Sequence, residues 1–262
     1  MTRSRPKAVH TLFDAYDPDL PVVTEVRRLL QKLARQSQPG ERSVFLITSA
    51  SRGEGKTTIA GLLSLVSALV FRKRTLLIDA DLRRPAMHDL LGLSQRPGLF
   101  DVLHGKVSID VAIRATPVPA LSALTSGRAT GPMGEAYDDD EFQRLVASLR
   151  PRYDQIFIDS APAVPVIEPL MMAEHADSIL IVAMAGQTPV SMVRRLRQVL
   201  APVNGKVAGV ILNNASEGLP YYYEYKYYGY ERTGTGRTRR TRSTEPTGGA
   251  SAGDDDATGG TT

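Results

Sequence analysis

Short runs of consecutive apolar residues alternate along this chain with longer segments in which apolar residues recur every three to four positions. The short runs predict five buried strands, at residues 43–48, 75–79, 155–159, 178–183 and 206–212. Strands that are apolar along their whole length are typical of parallel sheets with both faces covered. The chain is therefore expected to form an α/β domain in which helices flank a mostly parallel central sheet.

The segments with helical spacing predict helices between these strands. Predicted helices start at Pro21, at about Lys56, and at Asp140 or a neighbouring residue. Ahead of the fifth strand, Thr188 is expected to be the N-cap of a helix whose first residue is Pro189. This alternation of strands and helices is the pattern that a parallel sheet requires.

Composition divides the chain into four parts. Residues 1–20 are polar and interrupted by two prolines, and they are expected to form a flexible N-terminal arm. Residues 21–219 form the single predicted domain, and residues 220–230 are a tyrosine cluster. Residues 231–262 have alanine as their only apolar side chain, so they cannot bury enough surface to offset chain entropy and are expected to be a disordered tail.

Composition also excludes several kinds of site and location. The 262-residue chain has no cysteine, which excludes disulfides, thiolate nucleophiles and zinc–thiolate sites, and its four histidines include no pair at metal-ligand spacing. No apolar run approaches the roughly 18 residues of a membrane span, and the first residues lack the apolar core of a signal peptide. The chain is therefore expected to be soluble. Its net charge of +4 points to no nucleic-acid partner.

Residues 50–58 read Ala-Ser-Arg-Gly-Glu-Gly-Lys-Thr-Thr and lie between a predicted strand and a predicted helix. This is the P-loop pattern, except that Ala50 replaces the first glycine. Glycines let backbone N–H groups turn toward a phosphate at the helix N-terminus, Lys56 can reach the β- and γ-phosphates, and the Thr57 hydroxyl can join a Mg²⁺ shell. The alternative is a loop that merely caps a helix. The residues expected to bind ATP are Ser51, Arg52, Gly53, Glu54, Gly55, Lys56, Thr57 and Thr58.

Two predicted strands end in carboxylates. Asp79 and Asp81 follow the second strand, and Asp159 ends the third. Each could simply terminate its strand. Because the carboxyl ends of parallel strands meet at one edge, the three acidic groups are expected to lie close together, where a cation must offset their repulsion. Together with the P-loop they predict a site for Mg²⁺ and ATP phosphates.

Seven of the ten tyrosines fall within ten consecutive positions. The segment has no aliphatic side chain and borders the predicted disordered tail, which argues against a core strand. The alternatives are a sticky edge strand or an aromatic segment that stacks on single-stranded RNA. The tyrosines are Tyr221, Tyr222, Tyr223, Tyr225, Tyr227, Tyr228 and Tyr230.

Taken together, these motifs resemble those of the bacterial tyrosine kinases (BY-kinases), the autophosphorylating P-loop proteins of exopolysaccharide and capsule systems. The resemblance spans about residues 22–230 and includes the segments at 79–85, 97–105, 159–162 and 209–213. It implies a P-loop NTPase fold of the deviant-Walker subclass, which also holds Min and Par proteins and the nitrogenase iron protein. It further implies that the cluster tyrosines are phosphoacceptors that reach the nucleotide site of a neighbouring subunit.

The resemblance also implies roles for individual site residues. Asp79 would be the base or orienting group for the tyrosine hydroxyl, and Asp81 would support it and the metal. Asp159 would hold Mg²⁺ through water. Asn213, at the end of the last strand, would contact the adenine edge, although it could equally be a strand-ending asparagine. Lys56 and Thr57 would hold the phosphates and Mg²⁺, with Thr58 near the α-phosphate.

The implied partners are copies of the chain in a ring, a membrane-embedded activator of the polysaccharide co-polymerase type, and a cognate tyrosine phosphatase. The implied location is the cytoplasm, at the inner face of the plasma membrane. The sequence departs from the family in two places. The pattern associated with ring assembly appears as Glu25, Arg28 and Gln31, without its last basic residue, and Met184 replaces a common arginine.

Two competing functions share these motifs. A positioning ATPase of the Min and Par type would usually carry a second lysine early in the loop, where this chain has Ser51, and would lack the tyrosine cluster. A non-enzymatic reading is an ATP-dependent scaffold of a polysaccharide export complex.

Overall fold

A computed structural model describes residues 11–36, 41–130, 136–203 and 207–215. Its strands are β1 (Ser43–Ser49), β2 (Thr75–Asp79), β3 (Arg114–Ala115), β4 (Leu121–Leu124), β5 (Gln155–Asp159), β6 (Ser178–Met184) and β7 (Val207–Asn213). They form one sheet in the order β3-β4-β2-β5-β1-β6-β7. All neighbouring strands pair in parallel except β3 and β4, which are antiparallel.

Helices connect these strands and cover both faces of the sheet. They are α1 (Leu12–Ala15), α2 (Pro21–Gln36), α3 (Lys56–Val70), α4 (Met87–Leu91), α5 (Leu99–Leu103), α6 (Ile109–Ala112), α7 (Asp139–Leu149), α8 (Glu168–Glu174) and α9 (Val190–Leu200). A short 3-10 helix at Ala201–Val203 follows α9. The mostly parallel sheet flanked by helices confirms the predicted fold class.

Strand β1 is buried along its whole length because each face of the sheet packs against its own set of helices. Val44 and Leu46 belong to the core under α7, α8 and α9. Phe45 and Ile47 belong to the core under α2 and α3, where the Phe45 ring stacks on Phe157 with 5.1 Å between centroids. Continuous burial is why the sequence of this strand shows no alternation of apolar and polar residues.

Strands β3 and β4 were not predicted. β3 has only two residues, and β4 is a four-residue stretch in which Ser122 interrupts the apolar run. The expected N-cap at Thr188 is wrong, because Pro189 is the N-cap and α9 begins at Val190. Of the predicted fifth strand, residue 206 lies outside the described residues, and β7 runs from Val207.

Part of the predicted N-terminal arm is described. Thr11 caps the short helix α1, and Leu12 is buried against the core under α2 and α3. Residues 1–10 lie outside the described residues, as do residues 216–262 with the tyrosine cluster. In α2, the Arg28 guanidinium donates to Glu25 at 2.6 Å, so two residues of the predicted ring-assembly pattern bond to each other. No helix in the described part of the chain is long and apolar enough to cross a membrane.

Gly98 offers a test of how tightly the loop before α5 packs. A Cβ at this position would lie 2.1 Å from the Gly127 nitrogen and 2.3 Å from the Thr125 oxygen, which are backbone atoms that cannot rotate away. We expect Gly98→Ala to lower the free energy of unfolding by about 2 kcal/mol or more in urea titrations, because the added methyl group overpacks this loop in the variant. Gly209→Ala is the matched control, since nothing lies within 4 Å of its added Cβ. Equal stability of the two variants would contradict this packing.

Candidate nucleotide-binding site

The predicted site residues meet at the carboxyl edge of the sheet. The loop at 50–55 follows β1, and Asp79 and Asp159 end the adjacent strands β2 and β5, where they are paired in register. Asn213 ends β7. Ligands of open parallel sheets bind at this edge, so the topology brings together residues that are far apart in sequence.

The loop before α3 has the backbone conformation that the phosphate-binding prediction requires. Gly53 and Gly55 have φ angles of +78° and +86°, in the left-handed region that favours glycine. Gly55 is the N-cap of α3, so the unpaired N–H groups of a 15-residue helix begin at this loop. Lys56 is the first residue of the helix, and the residue is only 7% exposed. A buried lysine beside the unpaired N–H groups of a helix start is an arrangement that favours binding of an anion.

Glu54 is a buried residue whose hydrogen bonds hold the phosphate loop in place. It is 3% exposed, and its Oε2 accepts from the backbone N–H of Ser51 at 2.8 Å. The Thr188 hydroxyl donates to Glu54 Oε1 and accepts from the backbone N–H of Met184 at 2.8 Å. Glu54 therefore ties the phosphate loop to the connection between β6 and α9. The sequence motif gave Glu54 no such role, and Thr188 carries only a helix-cap signal.

Asn213 braces the same loop from β7. Its Nδ2 donates to the backbone oxygen of Glu54 at 3.1 Å, and its Oδ1 accepts from the backbone N–H of Asn214 at 2.9 Å. The amide also packs against Gly55, where an added Cβ would lie 2.1 Å from Nδ2. Both ends of the amide are thus engaged within the protein. Contact with the adenine edge stays a prediction.

The carboxylates after β2 differ in exposure. Asp79 is fully buried and accepts from the backbone N–H groups of Asp81 at 3.2 Å and Met87 at 3.3 Å. Burial, followed by the nearby charge of Asp159, raises the pKa of Asp79 well above its ordinary value. Asp81 is half-buried, and its Oδ1 accepts from the backbone N–H of Arg84 at 2.9 Å. Asp79 is therefore the buried carboxylate with the raised pKa, and Asp81 is the more accessible of the two.

Asp159 is buried, and neither of its carboxylate oxygens has a well-formed hydrogen bond to any described residue. Burial raises its pKa to about 7, while the Thr57 hydroxyl and the Lys56 ammonium act in the opposite direction. An orphaned buried carboxylate beside a hydroxyl is a donor set that suits a hard cation. The unmatched oxygens of Asp159 are thus the observation that fits the predicted Mg²⁺.

The candidate metal ligands at this edge suit a magnesium ion that is bound together with phosphate. Across the described ranges, no group of three His, Asp or Glu side chains is close enough to hold a metal by itself. Mg²⁺ commonly binds through one or two carboxylates and completes its shell with water and substrate phosphates. The predicted ligands Thr57, Asp79, Asp81 and Asp159 stay candidates for such a shared site.

Other residues of the predicted binding loop are more exposed. Ser51 is half-buried, and its backbone N–H is already bonded to Glu54. Arg52, Gly53 and Thr58 are exposed. Their contacts with a nucleotide stay predictions.

Comparison with curated proteins identifies similar kinases, although no protein-family model matches the chain. The chain is 34% identical over 184 residues to the tyrosine-protein kinase YwqD of Bacillus subtilis, covering 70% of this chain and 76% of that protein. It is 30% identical over 212 residues to the tyrosine-protein kinase Wzc of Salmonella typhimurium, covering 80% of this chain. It is 34% identical over 176 residues to the succinoglycan biosynthesis transport protein ExoP of Rhizobium meliloti, covering 66% of this chain. The chain spans only 29% of the length of Wzc and 22% of ExoP.

Comparison with solved structures also identifies a similar tyrosine kinase. The kinase domain of the Escherichia coli tyrosine kinase ETK superposes with a TM-score of 0.73 at 27% identity, covering 80% of this chain and 84% of that domain. The septum site-determining protein MinD from Pyrococcus horikoshii, solved with Mg-ADP, gives a TM-score of 0.59 at 22% identity, covering 69% and 75%. The second likeness concerns the fold alone. Together they confirm the predicted deviant-Walker P-loop fold.

The contact between Gly55 and Asn213 can be tested with a matched glycine pair. Gly53→Ala should cost only the left-handed strain of about 1–2 kcal/mol, because nothing lies within 4 Å of its added Cβ. Gly55→Ala should cost that strain plus about 1 kcal/mol, because the new methyl displaces the Asn213 amide from Glu54. Urea unfolding of the nucleotide-free protein measures both. In an Asn213→Ala background the two glycine variants should cost the same, and a persistent difference would disprove the coupling.

The Asp159 carboxylate should make the nucleotide-free protein less stable as pH rises. Its folded-state pKa of about 7 lies above the ordinary value of 3.8, so the folded state binds more protons between these values and stability falls across that window. We expect Asp159→Asn to raise the thermal unfolding midpoint most at pH 8, and by progressively less as the pH falls across this window toward 3.8. With Mg-ATP at pH 8 the variant should lose ligand-induced stabilisation. Asp89→Asn, which alters a side chain that is 84% exposed, is the control. An unchanged pH profile for Asp159→Asn would be evidence against the buried, orphaned carboxylate.

Proposed function

The chain belongs to the bacterial tyrosine kinases, and from that premise we propose that it is an ATP-dependent protein-tyrosine autokinase. Its acceptors are the tyrosines of residues 221–230, presented by a neighbouring copy. The observation that carries the proposal is the buried Lys56 and the orphaned Asp159 at one sheet edge, in a chain whose first cluster tyrosine lies eight residues beyond Asn213. The division into a residue 1–20 arm, a residue 21–219 domain, the cluster and a residue 231–262 tail is part of the proposal.

Nucleotide binding relies on charge and on free backbone donors. The N–H groups at the start of α3 and the Lys56 ammonium bind the β- and γ-phosphates of ATP, with Thr57 and Thr58 alongside. Thr57, Asp159 and the carboxylates after β2 would hold Mg²⁺, which when bound neutralises developing negative charge on the phosphates. The Glu54 bonds to Ser51 and Thr188 keep the loop in one conformation before the nucleotide arrives.

Transfer needs a group that orients the acceptor phenol and receives its proton. We assign this role to Asp79, which ends β2 at the same sheet edge as the phosphate loop and Asp159. The bond between the γ-phosphorus and the bridging oxygen breaks, a new bond forms to the phenol oxygen, and the phenol proton passes to the carboxylate. Asp81, the more accessible carboxylate, positions the incoming tyrosine and supports Asp79.

We place this kinase in the regulation of exopolysaccharide or capsule polymerisation and export, supported by the resemblance and by the name of the ExoP relative. Its proposed partners are further copies in a ring, a membrane-embedded activator of the co-polymerase type and a cognate tyrosine phosphatase. Its proposed location is the cytoplasm at the inner face of the plasma membrane. The positioning-ATPase alternative gains no specific support, because Ser51 occupies the position of that group's second lysine.

Phosphotyrosine formation is the direct test of the proposed activity. Incubation with Mg-ATP followed by intact-mass measurement should give successive phosphate additions confined to residues 221–230. We expect Lys56→Met to abolish them, because the phosphates lose their cation, while Lys73→Met, which alters an exposed lysine, leaves them unchanged. Replacing the seven cluster tyrosines by Phe should also abolish the signal without loss of ATP binding, whereas Tyr16→Phe should have no effect. Normal labelling of the Lys56→Met variant would place the activity elsewhere.

A mixing experiment with the same variants tests transfer between copies. The Lys56→Met chain keeps its acceptors but lacks activity, and the seven-Phe chain keeps activity but lacks acceptors. When the two are mixed with Mg-ATP, the Lys56→Met chain should gain phosphate. Wild-type labelling without any transfer in the mixture would restrict the reaction to a single chain.

A further inference from the structure

A groove of about 510 Å³ runs between α9 and β7. Val190 and Val193 form one wall, and Val207 and Val210 form the other. Val190 is 66% exposed and Val210 is 52% exposed. Paired walls of exposed valine mark a surface that gains free energy when something apolar covers it.

The groove is open because the sheet ends beside it. Helix α9 packs over β6, where Leu196 is buried in the same core as Ile181, and it leaves the adjacent face of β7 uncovered. Strand β7 is the last in the sheet and pairs only with β6 among the described strands. Its second edge therefore presents backbone groups that an additional strand could pair with.

Two cations line this apolar groove. Arg194 and Arg197 are three residues apart on α9, so their side chains share one face of the helix. Neither guanidinium has a hydrogen bond or an ion pair with any residue that the structure describes. An apolar floor below two unpaired guanidinium groups suits an aromatic ring that carries an anion. Arginine can stack on the face of such a ring, and it can also donate hydrogen bonds to phosphate oxygens.

The chain itself supplies a segment of that chemistry next to the groove. Asn214, directly after β7, has a φ of +56°, a left-handed conformation that turns the backbone away from the strand direction. Tyr221 follows Ala215 by six residues, a reach of about 20 Å when extended, which is enough to return along β7. Every odd position from 221 to 227 is a tyrosine, so in an extended strand these rings share one face.

We infer that the groove between α9 and β7 binds the phosphorylated residues 221–227 of the same chain, which add as a strand along β7. The odd-numbered rings contact the valine walls, and Arg194 and Arg197 bind their phosphates. This rests on the proposed function, which supplies the phosphotyrosines. The groove then acts as a product site that withdraws modified tyrosines from the catalytic site of a neighbouring copy and shields them from a phosphatase.

Hydrogen exchange on the full-length chain tests the inference without depending on its own kinase activity. The Lys56→Met variant is phosphorylated by an unrelated tyrosine kinase and compared with its unphosphorylated form by exchange mass spectrometry. Phosphorylation should slow amide exchange in residues 221–227 and in β7 by at least about tenfold. The Arg194→Gln/Arg197→Gln pair should abolish this slowing. The control pair Arg195→Gln/Arg35→Gln removes the same charge from exposed positions outside the groove and should preserve it.

The other results would overturn the inference. Unchanged exchange on phosphorylation means that the groove does not bind the segment, and equal loss in both arginine pairs means that general charge, not the groove, is responsible. Slowing that depends on protein concentration over a tenfold range identifies a second copy as the occupant. Failure of autophosphorylation in the wild type would refute the proposed function alone, because the phosphates here come from another enzyme.

Discussion

The structure depends on the cost of holding two carboxylates side by side at the edge of a parallel sheet. Asp79 and Asp159 end neighbouring strands in register, and both are buried. Asp79 offsets part of this cost with two backbone N–H bonds, whereas Asp159 has no well-formed partner within the described ranges. Lys56 provides nearby positive charge but leaves the pKa of Asp159 raised. The remaining imbalance is what a cation and its phosphates would correct.

The phosphate loop is held by contacts that lie outside the loop itself. Glu54 connects it to Thr188 in the β6–α9 connection, and Asn213 connects it to the end of β7. These bonds join positions that are 134 and 159 residues apart in sequence. A preorganised loop loses less conformational entropy when it binds a ligand, so these distant bonds from the second half of the domain favour binding at the loop.

The sequence was sufficient to predict the five long strands, the loop before α3 and the meeting of Asp79 and Asp159 at one sheet edge, because burial and sheet topology determine these features. It was insufficient for β4, whose short run includes Ser122, and for Thr188, whose hydroxyl serves a distant carboxylate in place of a local helix cap. The buried role of Glu54 had no local signal either, since a P-loop tolerates many residues there. Properties that arise from contacts between distant segments require the three-dimensional structure.

Asn213 also has a mechanical role, because it holds the phosphate loop from a strand end that is itself anchored to β6. The Ala185 N–H donates to the Asn213 backbone oxygen at 2.9 Å, and Asn213 is also paired in register with Met184. A force applied to the chain beyond residue 215 would have to act on the β6–β7 ladder bonds at Asn213 as well as on its amide. The amide that donates to the Glu54 backbone oxygen is a side chain of that anchored strand. The conformation of the phosphate loop is therefore protected from strain that enters at this end of β7.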